Sequence, residues 1–125
     1  MTSGTVRELQ ARVDVVFRLP GRPNIAIECV FDTGFAGALT LPSEAITALK
    51  LPFFQEIEAN LANDTDVKTA VHVATIIWDG RELEVAVLAI GRRPLLGTSL
   101  LDGRRLTADF SEDGEVRIET VDGTD

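Results

Sequence analysis

An apolar segment that runs directly into a carboxylate most constrains how this chain folds. Residues 25–31 read Ile-Ala-Ile-Glu-Cys-Val-Phe, a composition typical of a β-strand, and Asp32-Thr33-Gly34 follows at once. A charge at the edge of a hydrophobic layer is unfavourable unless it is paired or protonated. Folding alone therefore does not require this carboxylate, and Asp32 is a candidate functional residue. Because glycine permits a tight turn, we expect residues 37–41 to return as a second strand.

The simplest alternative is that Asp32 is an ordinary turn residue. Asp-Gly is common turn chemistry, and the chain also has it at 79–80, 102–103, 113–114 and 122–123. At the first site, however, Thr33 separates the aspartate from the glycine, and apolar residues flank the motif on both sides. This context disfavours the alternative of a β-barrel domain in which Asp32 only makes a turn.

Composition bounds the remaining possibilities. The chain has 125 residues, 45% of them hydrophobic, and a formal net charge of −8, which suits one domain and argues against nucleic acid and anionic membranes as partners. No apolar run is as long as a membrane span, and Met1–Gln10 lacks a signal-peptide pattern. The single cysteine, Cys29, excludes an internal disulfide, and a single histidine makes a zinc site unexpected. We expect a cytoplasmic domain with no metal and no cofactor.

Alternating apolar residues predict an all-β domain with one or two short helices. One helix is expected over 43–50, with Ser43 as its N-cap, and a second follows Gly97. The predicted strands cover residues 12–19, 25–31, 37–41, 55–62, 67–78, 83–87, 104–110 and 115–119. Their inward faces include Val67, Val71, Val73 and Ile77 in one strand and Leu106, Ala108 and Phe110 in another.

The predicted organisation is one domain over residues 12–119. Residues 1–11 are interpreted as a tail or an edge strand, and residues 120–125 as a flexible tail. The two long strands at 55–62 and 67–78 are joined by the polar turn Asn63-Asp64-Thr65-Asp66, which predicts either a mobile arm that acts as a lid or an ordinary meander.

Three motifs in this order resemble the retropepsin-like aspartic proteases, and in particular the small bacterial members of that clan. The first is the segment Phe31-Asp32-Thr33-Gly34-Phe35-Ala36-Gly37-Ala38-Leu39-Thr40-Leu41-Pro42. The others are Leu95-Leu96-Gly97-Thr98-Ser99-Leu100-Leu101 and Leu106-Thr107-Ala108-Asp109-Phe110. The resemblance covers residues 12–119 and departs from the better-known members at Phe35, where they carry a small residue.

The resemblance implies a closed β-barrel, the acid protease fold, that functions as a two-fold homodimer. It implies an aspartic endopeptidase for peptides or unfolded protein segments, in which each subunit supplies one Asp32 to a shared pair. The alternative is a non-catalytic dimeric module that binds peptides or assembles a complex on the same fold. Arg92-Arg93 is interpreted as a solvated turn, with contact to substrate or to a dimer mate as the alternative.

The resemblance also implies a role for each residue around Asp32. Thr33 would hydrogen-bond across the dimer axis, and Gly34 would leave room for the substrate backbone. The predicted supports of the active loop are Leu95, Leu96 and Gly97. The predicted substrate-binding and flap residues are Phe35, Ala36, Asn63, Asp64, Thr65 and Asp66.

Overall fold

The structure is a computed structural model that describes residues 1–60 and 63–121. In these residues the chain forms strands joined by short turns, one α-helix and one 3₁₀ helix. The strands are β1 (Thr2–Arg7), β2 (Gln10–Arg18), β3 (Ile25–Phe31), β4 (Leu39–Leu41), β5 (Phe53–Asn60), β6 (Asp66–Trp78), β7 (Arg81–Ala89), β8 (Leu95–Leu96), β9 (Arg104–Ala108) and β10 (Glu115–Thr120). The α-helix α1 is Ser43–Leu49, and the 3₁₀ helix is Thr98–Leu101.

The strands form one sheet that closes on itself. Their order is β5-β6-β7-β4-β8-β3-β2-β1-β10-β9, and a further pairing of β6 with β2 joins two strands that are distant in this order. The strands β6, β7, β4, β8, β3 and β2 therefore make a closed ring, as the sequence resemblance implied. Two of the ring pairings are parallel, β3 with β8 and β4 with β7. Closure gives each of these six strands a neighbour on both sides, whereas β5 and β9, at the ends of the strand order, each have one neighbour among the described residues.

The predicted alternation of the first long strand is confirmed. In β2, the side chains of Val13, Val15 and Phe17 are at most 1% exposed, while the residues between them are half-buried or exposed. Burial of each such side chain contributes about 1.5–3 kcal/mol to the free energy of unfolding. This strand therefore forms one wall of the core inside the closed ring.

The predicted inward face of the longest strand is wrong beyond its middle. Val73 and Ile77 are only partly buried, whereas Ala74, Ile76 and Trp78 are at most 4% exposed. The reason is a change of neighbour: β6 pairs with β5 as far as His72 and with β2 from Thr75. Where β6 leaves the arm and enters the closed ring, the core lies on its opposite face.

The structure also differs from the prediction for residues 1–11 at the start of the domain. Residues 2–7 form a strand between β2 and β10, so this segment is neither a tail nor an edge strand. Thr120 is the last residue of β10, and residues 122–125 lie outside the described residues. The sequence of β1 lacks the alternation typical of a strand, because most of its residues are polar and only Val6 is fully buried.

Two smaller predictions differ from the structure as well. Phe110 is 61% exposed instead of inward-facing, since β9 ends at Ala108 and the chain turns away from the core. The N-cap of α1 is Pro42, and no side chain caps this helix.

Among the described residues, no helix is long and apolar enough to cross a bilayer.

Cys29 lies in the core at the inner face of β3. Its side chain is fully buried, and its thiol donates a weak hydrogen bond to the Ile27 carbonyl at 3.6 Å. Burial, together with smaller contributions from repulsion by the carboxylates of Asp14 and Glu28, raises the pKa of the Cys29 thiol from 9.0 to about 12. The thiolate, which is the reactive form, is therefore strongly disfavoured in the folded protein.

We expect the native Cys29 thiol to resist a thiol reagent such as Ellman's reagent at neutral pH and to react once urea unfolds the chain. Between pH 9.0 and about 12 the folded protein keeps a proton that the unfolded chain loses, so the free energy of unfolding should fall as the pH rises. The chain has no tyrosine, which keeps this range simple to interpret. Cys29→Ala is the control and should lack this part of the pH dependence; rapid labelling of the native thiol would contradict the assignment.

Candidate active site

The carboxylate of Asp32 stands where two distant parts of the chain meet. Asp32 follows directly after β3, and β3 pairs in parallel with β8 through Val30 with Leu95 and Phe31 with Leu96. The amide N–H of Asp32 donates to the Leu96 carbonyl at 3.0 Å. The backbone position of the carboxylate is therefore set by the sheet and not by the loop alone.

The Asp32 side chain is also held by its own loop. One carboxylate oxygen, Oδ1, accepts a hydrogen bond from the Gly34 N–H at 2.9 Å. The Phe35 N–H donates to the Asp32 carbonyl at 3.1 Å, which closes a tight turn. Because this arrangement occupies Oδ1 and leaves Asp32 only half-buried, Oδ2 remains free for a further partner.

The segment after the turn is fixed to the start of the 3₁₀ helix. The N–H groups of Gly97 and Thr98 donate to the carbonyls of Ala38 at 2.8 Å and Phe35 at 2.9 Å. The Thr98 hydroxyl also reaches the Phe35 carbonyl at 3.3 Å. These bonds join both motifs of the sequence into one rigid base for the carboxylate.

Phe35 lies over two glycines of this base. A Cβ atom on Gly37 would lie 2.6 Å from Cζ of Phe35, and one on Gly97 would lie 2.5 Å from Cδ2 of the same ring. The Gly97 position would also clash with the Gly37 carbonyl oxygen at 2.1 Å. The large residue at position 35 is therefore accommodated by missing side chains at positions 37 and 97.

A cavity of about 540 Å³ opens between the Asp32 loop and the arm formed by β5 and β6. Its wall is mostly apolar, apart from Asp32, Thr40 and Asn60. The residues that line it are Asp32, Gly34, Phe35, Thr40, Ala59, Asn60, Leu88, Ile90, Gly91 and Leu95. A mostly apolar cavity with a few polar groups is typical of a ligand-binding site.

A second cavity of about 370 Å³ lies on the other side of Asp32. It shares Asp32 and Leu95 with the first cavity and adds the tip of the β1–β2 hairpin. The residues that line it are Leu9, Gln10, Ala11, Val30, Phe31, Asp32, Thr33, Arg93, Leu95, Leu106 and Phe110. Asp32 and Leu95 therefore form the divide between two open spaces.

Two other surface depressions lie away from Asp32. One of about 660 Å³ is lined only by the contiguous turn at residues 18–24. The other, of about 300 Å³, is polar, and its guanidinium groups of Arg7 and Arg12 pair with Glu28 at 3.8 and 3.2 Å. Neither depression combines a free carboxylate with an apolar wall. Among the described residues, no group of three or more acidic, histidine or cysteine side chains could hold a metal ion.

The structure brings most of the predicted site residues together. Thr33 and Gly34 adjoin Asp32, Leu96 and Gly97 lie beneath the loop, and Leu95 lines both cavities instead of lying beneath it. Ala36 is exposed beside Phe35 and lines neither cavity.

The predicted flap residues 63–66 line neither of the two cavities beside Asp32. Asn63, Asp64 and Thr65 form the turn, and Asp66 is the first residue of β6. The Asn60 amide donates to the carboxylates of Asp64 at 3.3 Å and Asp66 at 3.0 Å, so these acids are occupied within the turn. The residues of the arm that line the cavity are Ala59 and Asn60, which sequence reasoning placed in a strand without a role.

Other site residues escaped prediction because their position depends on distant contacts. Leu9 and Gln10 lie in a segment that resembled a tail, and the tight β1–β2 turn places both Glu8 and Leu9 at positive φ angles of 53° and 60°. The exposed Phe110 was assigned to the core. No local pattern distinguishes these residues, since only the pairing of β1 with β2 and β10 brings them beside Asp32.

Solved structures share this architecture. The chain matches a retropepsin-like aspartic protease from Rickettsia conorii with a TM-score of 0.58 and 18% identity, over 94% of this chain and 92% of that one. It matches EIAV protease, complexed with the inhibitor HBY-793, with a TM-score of 0.56 and 20% identity, over 78% of this chain and 91% of that one. No protein-family model and no curated protein matches the sequence. The fold is that of the retropepsin-like aspartic proteases, as the sequence resemblance implied.

The contact between Phe35 and Gly37 predicts a strong coupling between these positions. Gly37→Ala should lower the free energy of unfolding by about 1–3 kcal/mol through overpacking, and the loss should largely vanish in a Phe35→Ala background because only the Phe35 ring meets the added methyl. Urea unfolding of the four proteins of this double-mutant cycle measures the coupling.

Gly97→Ala is the matched comparison. Its added methyl meets the Gly37 carbonyl oxygen as well, so Phe35→Ala should not rescue it. Equal rescue of both alanine variants, or rescue of neither, would contradict this account of the loop.

The Thr40 side chain predicts a stabilising substitution. Thr40 is 3% exposed, and within the described part of the chain its buried hydroxyl has no hydrogen-bond partner. A buried unsatisfied hydroxyl costs about 1–3 kcal/mol, so the isosteric change Thr40→Val should raise the free energy of unfolding by about 1 kcal/mol. Thr40→Ser, which keeps the hydroxyl and loses the methyl group, should lower it. A destabilised Thr40→Val protein would mean that the hydroxyl is satisfied.

Proposed function

We propose that this protein is an aspartic endopeptidase that acts as a homodimer on peptides or unfolded protein segments. The observation that carries the proposal is the half-buried Asp32 carboxylate, held on a rigid loop between two open cavities. The fold shared with retropepsin-like aspartic proteases supports it. We also propose a cytoplasmic location, which the presence of a single cysteine supports.

The dimer is proposed because the reaction needs two carboxylates and the chain has one Asp-Thr-Gly. A two-fold axis beside Asp32 supplies the second from an identical chain, and such symmetric dimers are the commonest closed assembly. The exposed Thr33 supports this position for the axis. Its hydroxyl has no hydrogen-bond partner in residues 1–60 and 63–121, so it is available to a second subunit.

The proposed chemistry follows from the electrostatics of a close carboxylate pair. Two carboxylates within hydrogen-bond distance cannot both be ionised, so the pair shares one proton, as in other aspartic-protease dyads. The ionised carboxylate takes a proton from a water molecule, whose oxygen forms a bond to the peptide carbonyl carbon. The protonated carboxylate gives its proton to the carbonyl oxygen as that oxygen gains charge. The C–N bond then breaks: the departing amine takes the proton that the first carboxylate received from water. A hydroxyl of the tetrahedral intermediate returns its proton to the other carboxylate as the carboxylic acid product forms, which restores the shared proton of the pair.

The substrate is proposed to be an extended peptide because the cavity beside Asp32 runs under a strand of the arm. Main-chain groups of a peptide can hydrogen-bond to strand edges, while apolar side chains enter the cavity. A folded protein surface does not offer such a segment, so peptides and unfolded regions are the expected substrate class.

The decisive substitution is Asp32→Asn. The amide oxygen of asparagine can accept the same hydrogen bond from the Gly34 N–H, so the loop and the fold should persist. Asparagine can neither take a proton from water nor share one, so the variant should lose cleavage of unfolded casein entirely. Analytical ultracentrifugation should show a dimer for both proteins. If Asp32→Asn cleaves as well as the wild type, the site is not this carboxylate.

Subunit exchange separates a shared site from a complete site in each chain. When the wild type is mixed with excess Asp32→Asn protein, each mixed dimer carries one carboxylate where two are required. Residual activity should therefore follow the square of the wild-type fraction. A linear fall would mean that each chain is a complete catalyst. Binding of casein without cleavage by the wild type would favour the peptide-binding alternative.

A further inference from the structure

The cavity of about 370 Å³ beside Asp32 contains an arginine that the proposed reaction does not use. Arg93 is exposed and lines this cavity together with Asp32 and several apolar side chains. Its backbone adjoins the sheet, because the neighbouring Pro94 carbonyl accepts a hydrogen bond from the Val30 N–H at 3.1 Å and β8 begins at Leu95. The backbone of Arg93 is thus held beside β3, the strand that carries the loop of Asp32.

Arg93 is oriented without being neutralised. Its Nη1 donates to Oε1 of Gln10 at 3.0 Å, and this neutral amide fixes the side chain without offering a negative charge. The same Gln10 oxygen accepts from Nη2 of Arg12 at 3.0 Å, so two guanidinium groups lie close together. Arg12 is paired with Glu28 at 3.2 Å, which offsets its charge. Of these two guanidinium groups, that of Arg93 therefore has no carboxylate to offset its charge among the described ion pairs.

No ion pair of the described residues includes Arg93. Acidic residues outnumber basic ones, 20 to 12, and five arginines pair with them, for example Arg18 with Glu82 and Arg104 with Asp79. Four further arginines of the described residues are without an ion pair, namely Arg22, Arg81, Arg92 and Arg105. Arg93 differs from these four because it lines the cavity beside Asp32. A guanidinium has five N–H donors, and one is used by Gln10, so the others can bind a carboxylate that enters the cavity.

We propose that Arg93 is a specificity residue that recognises an acidic side chain, Asp or Glu, of a bound peptide close to the bond beside Asp32. The inference rests on the proposed function in so far as it takes the cavities as the place where a peptide binds. Leu9, Phe31 and Leu95 surround the stem of such a side chain, and the guanidinium meets its carboxylate. In a two-fold dimer there are two copies of Arg93, so acidic residues should be favoured at equal distances on both sides of the bond.

The experiment uses peptides of the form Ala-Ala-Ala-Phe-Leu-Ala-Ala-Ala in which one alanine at a time is replaced by Glu or by its neutral isostere Gln. Cleavage is measured with the wild-type dimer, and binding with the inactive Asp32→Asn protein by fluorescence anisotropy. At one pair of symmetric positions the Glu peptide should bind and be cleaved about tenfold better than the Gln peptide. Arg93→Gln should abolish this preference. Arg93→Glu should reverse it, so that a peptide with Lys at this position is preferred to the Glu peptide.

Arg92→Gln is the matched control. It removes the same charge from the adjacent residue, which does not line the cavity, and it should leave the Glu preference intact. Equal loss of preference in Arg92→Gln and Arg93→Gln would mean that only overall charge matters and would overturn the inference. So would a parallel loss for Glu and Gln peptides in Arg93→Gln, or dissociation of its dimer, because these would assign Arg93 to the fold or to the subunit interface.

The two proposals can fail separately. If the wild type cleaves these peptides without preferring Glu, the specificity inference is wrong and the endopeptidase stands. If Asp32→Asn binds Glu peptides through Arg93 while the wild type cleaves neither these peptides nor casein, the recognition stands and the endopeptidase is wrong. Absence of both binding and cleavage overturns both.

Discussion

The parallel contact between β3 and β8 is the constraint on which the site depends. Neither strand builds the loop by itself: β3 carries Asp32 directly after its last residue, and β8 provides the Leu96 carbonyl that accepts a hydrogen bond from the Asp32 amide. Parallel neighbours need a long connection, and here that connection contains α1, the arm and β7. The same contact therefore sets the carboxylate in place and joins the two ends of the segment that contains the arm.

Because the sheet closes, the two halves of β6 have different neighbours. In the closed ring, β6 lies between β7 and β2 and faces the core with Ala74, Ile76 and Trp78. Beyond the ring the same strand has only β5 and β7 for neighbours, and β5 is largely exposed. Because buried contacts decrease along β6 from the closed ring towards the arm, we expect local stability to decrease in the same direction. The part of the arm that must admit a peptide is therefore continuous with a part that is packed in the core.

Sequence patterns predicted the parts of the structure that local physics determines. Alternation in β2 identified Val13, Val15 and Phe17 as core residues, because this strand keeps one face inward throughout. The apolar run before Asp32 identified β3, in which Cys29 is the fully buried residue. Alternation failed in β6, where the neighbouring strand changes partway along. It failed also for β1, which is mostly polar. This segment forms a strand because it pairs with β2 on one side and β10 on the other, and not because of its own hydrophobicity.

The residues around Asp32 also divide into those that a local sequence motif identifies and those that only the fold brings together. Thr33, Gly34 and Gly97 are visible in the sequence because a motif contains them. Arg93 and Gln10 are far apart in the chain, and each lies in a segment that resembles solvated surface; only the folded sheet places their side chains 3.0 Å apart. Prediction of a chemical motif is thus more dependable than prediction of the surrounding specificity, since the latter is assembled from loops by non-local pairing.

Phe35 shows how one large residue changes what the neighbouring positions must be. Its ring occupies the space where side chains of residues 37 and 97 would stand, and it also forms part of the wall of the larger cavity. A small residue at position 35 would leave that volume to a ligand and would relieve the contact with Gly37. It would not relieve Gly97, where the backbone carbonyl of Gly37 already excludes a side chain at 2.1 Å. The glycine at 97 is therefore a requirement of the loop itself, whereas the glycine at 37 is a requirement of the aromatic ring that narrows the cavity.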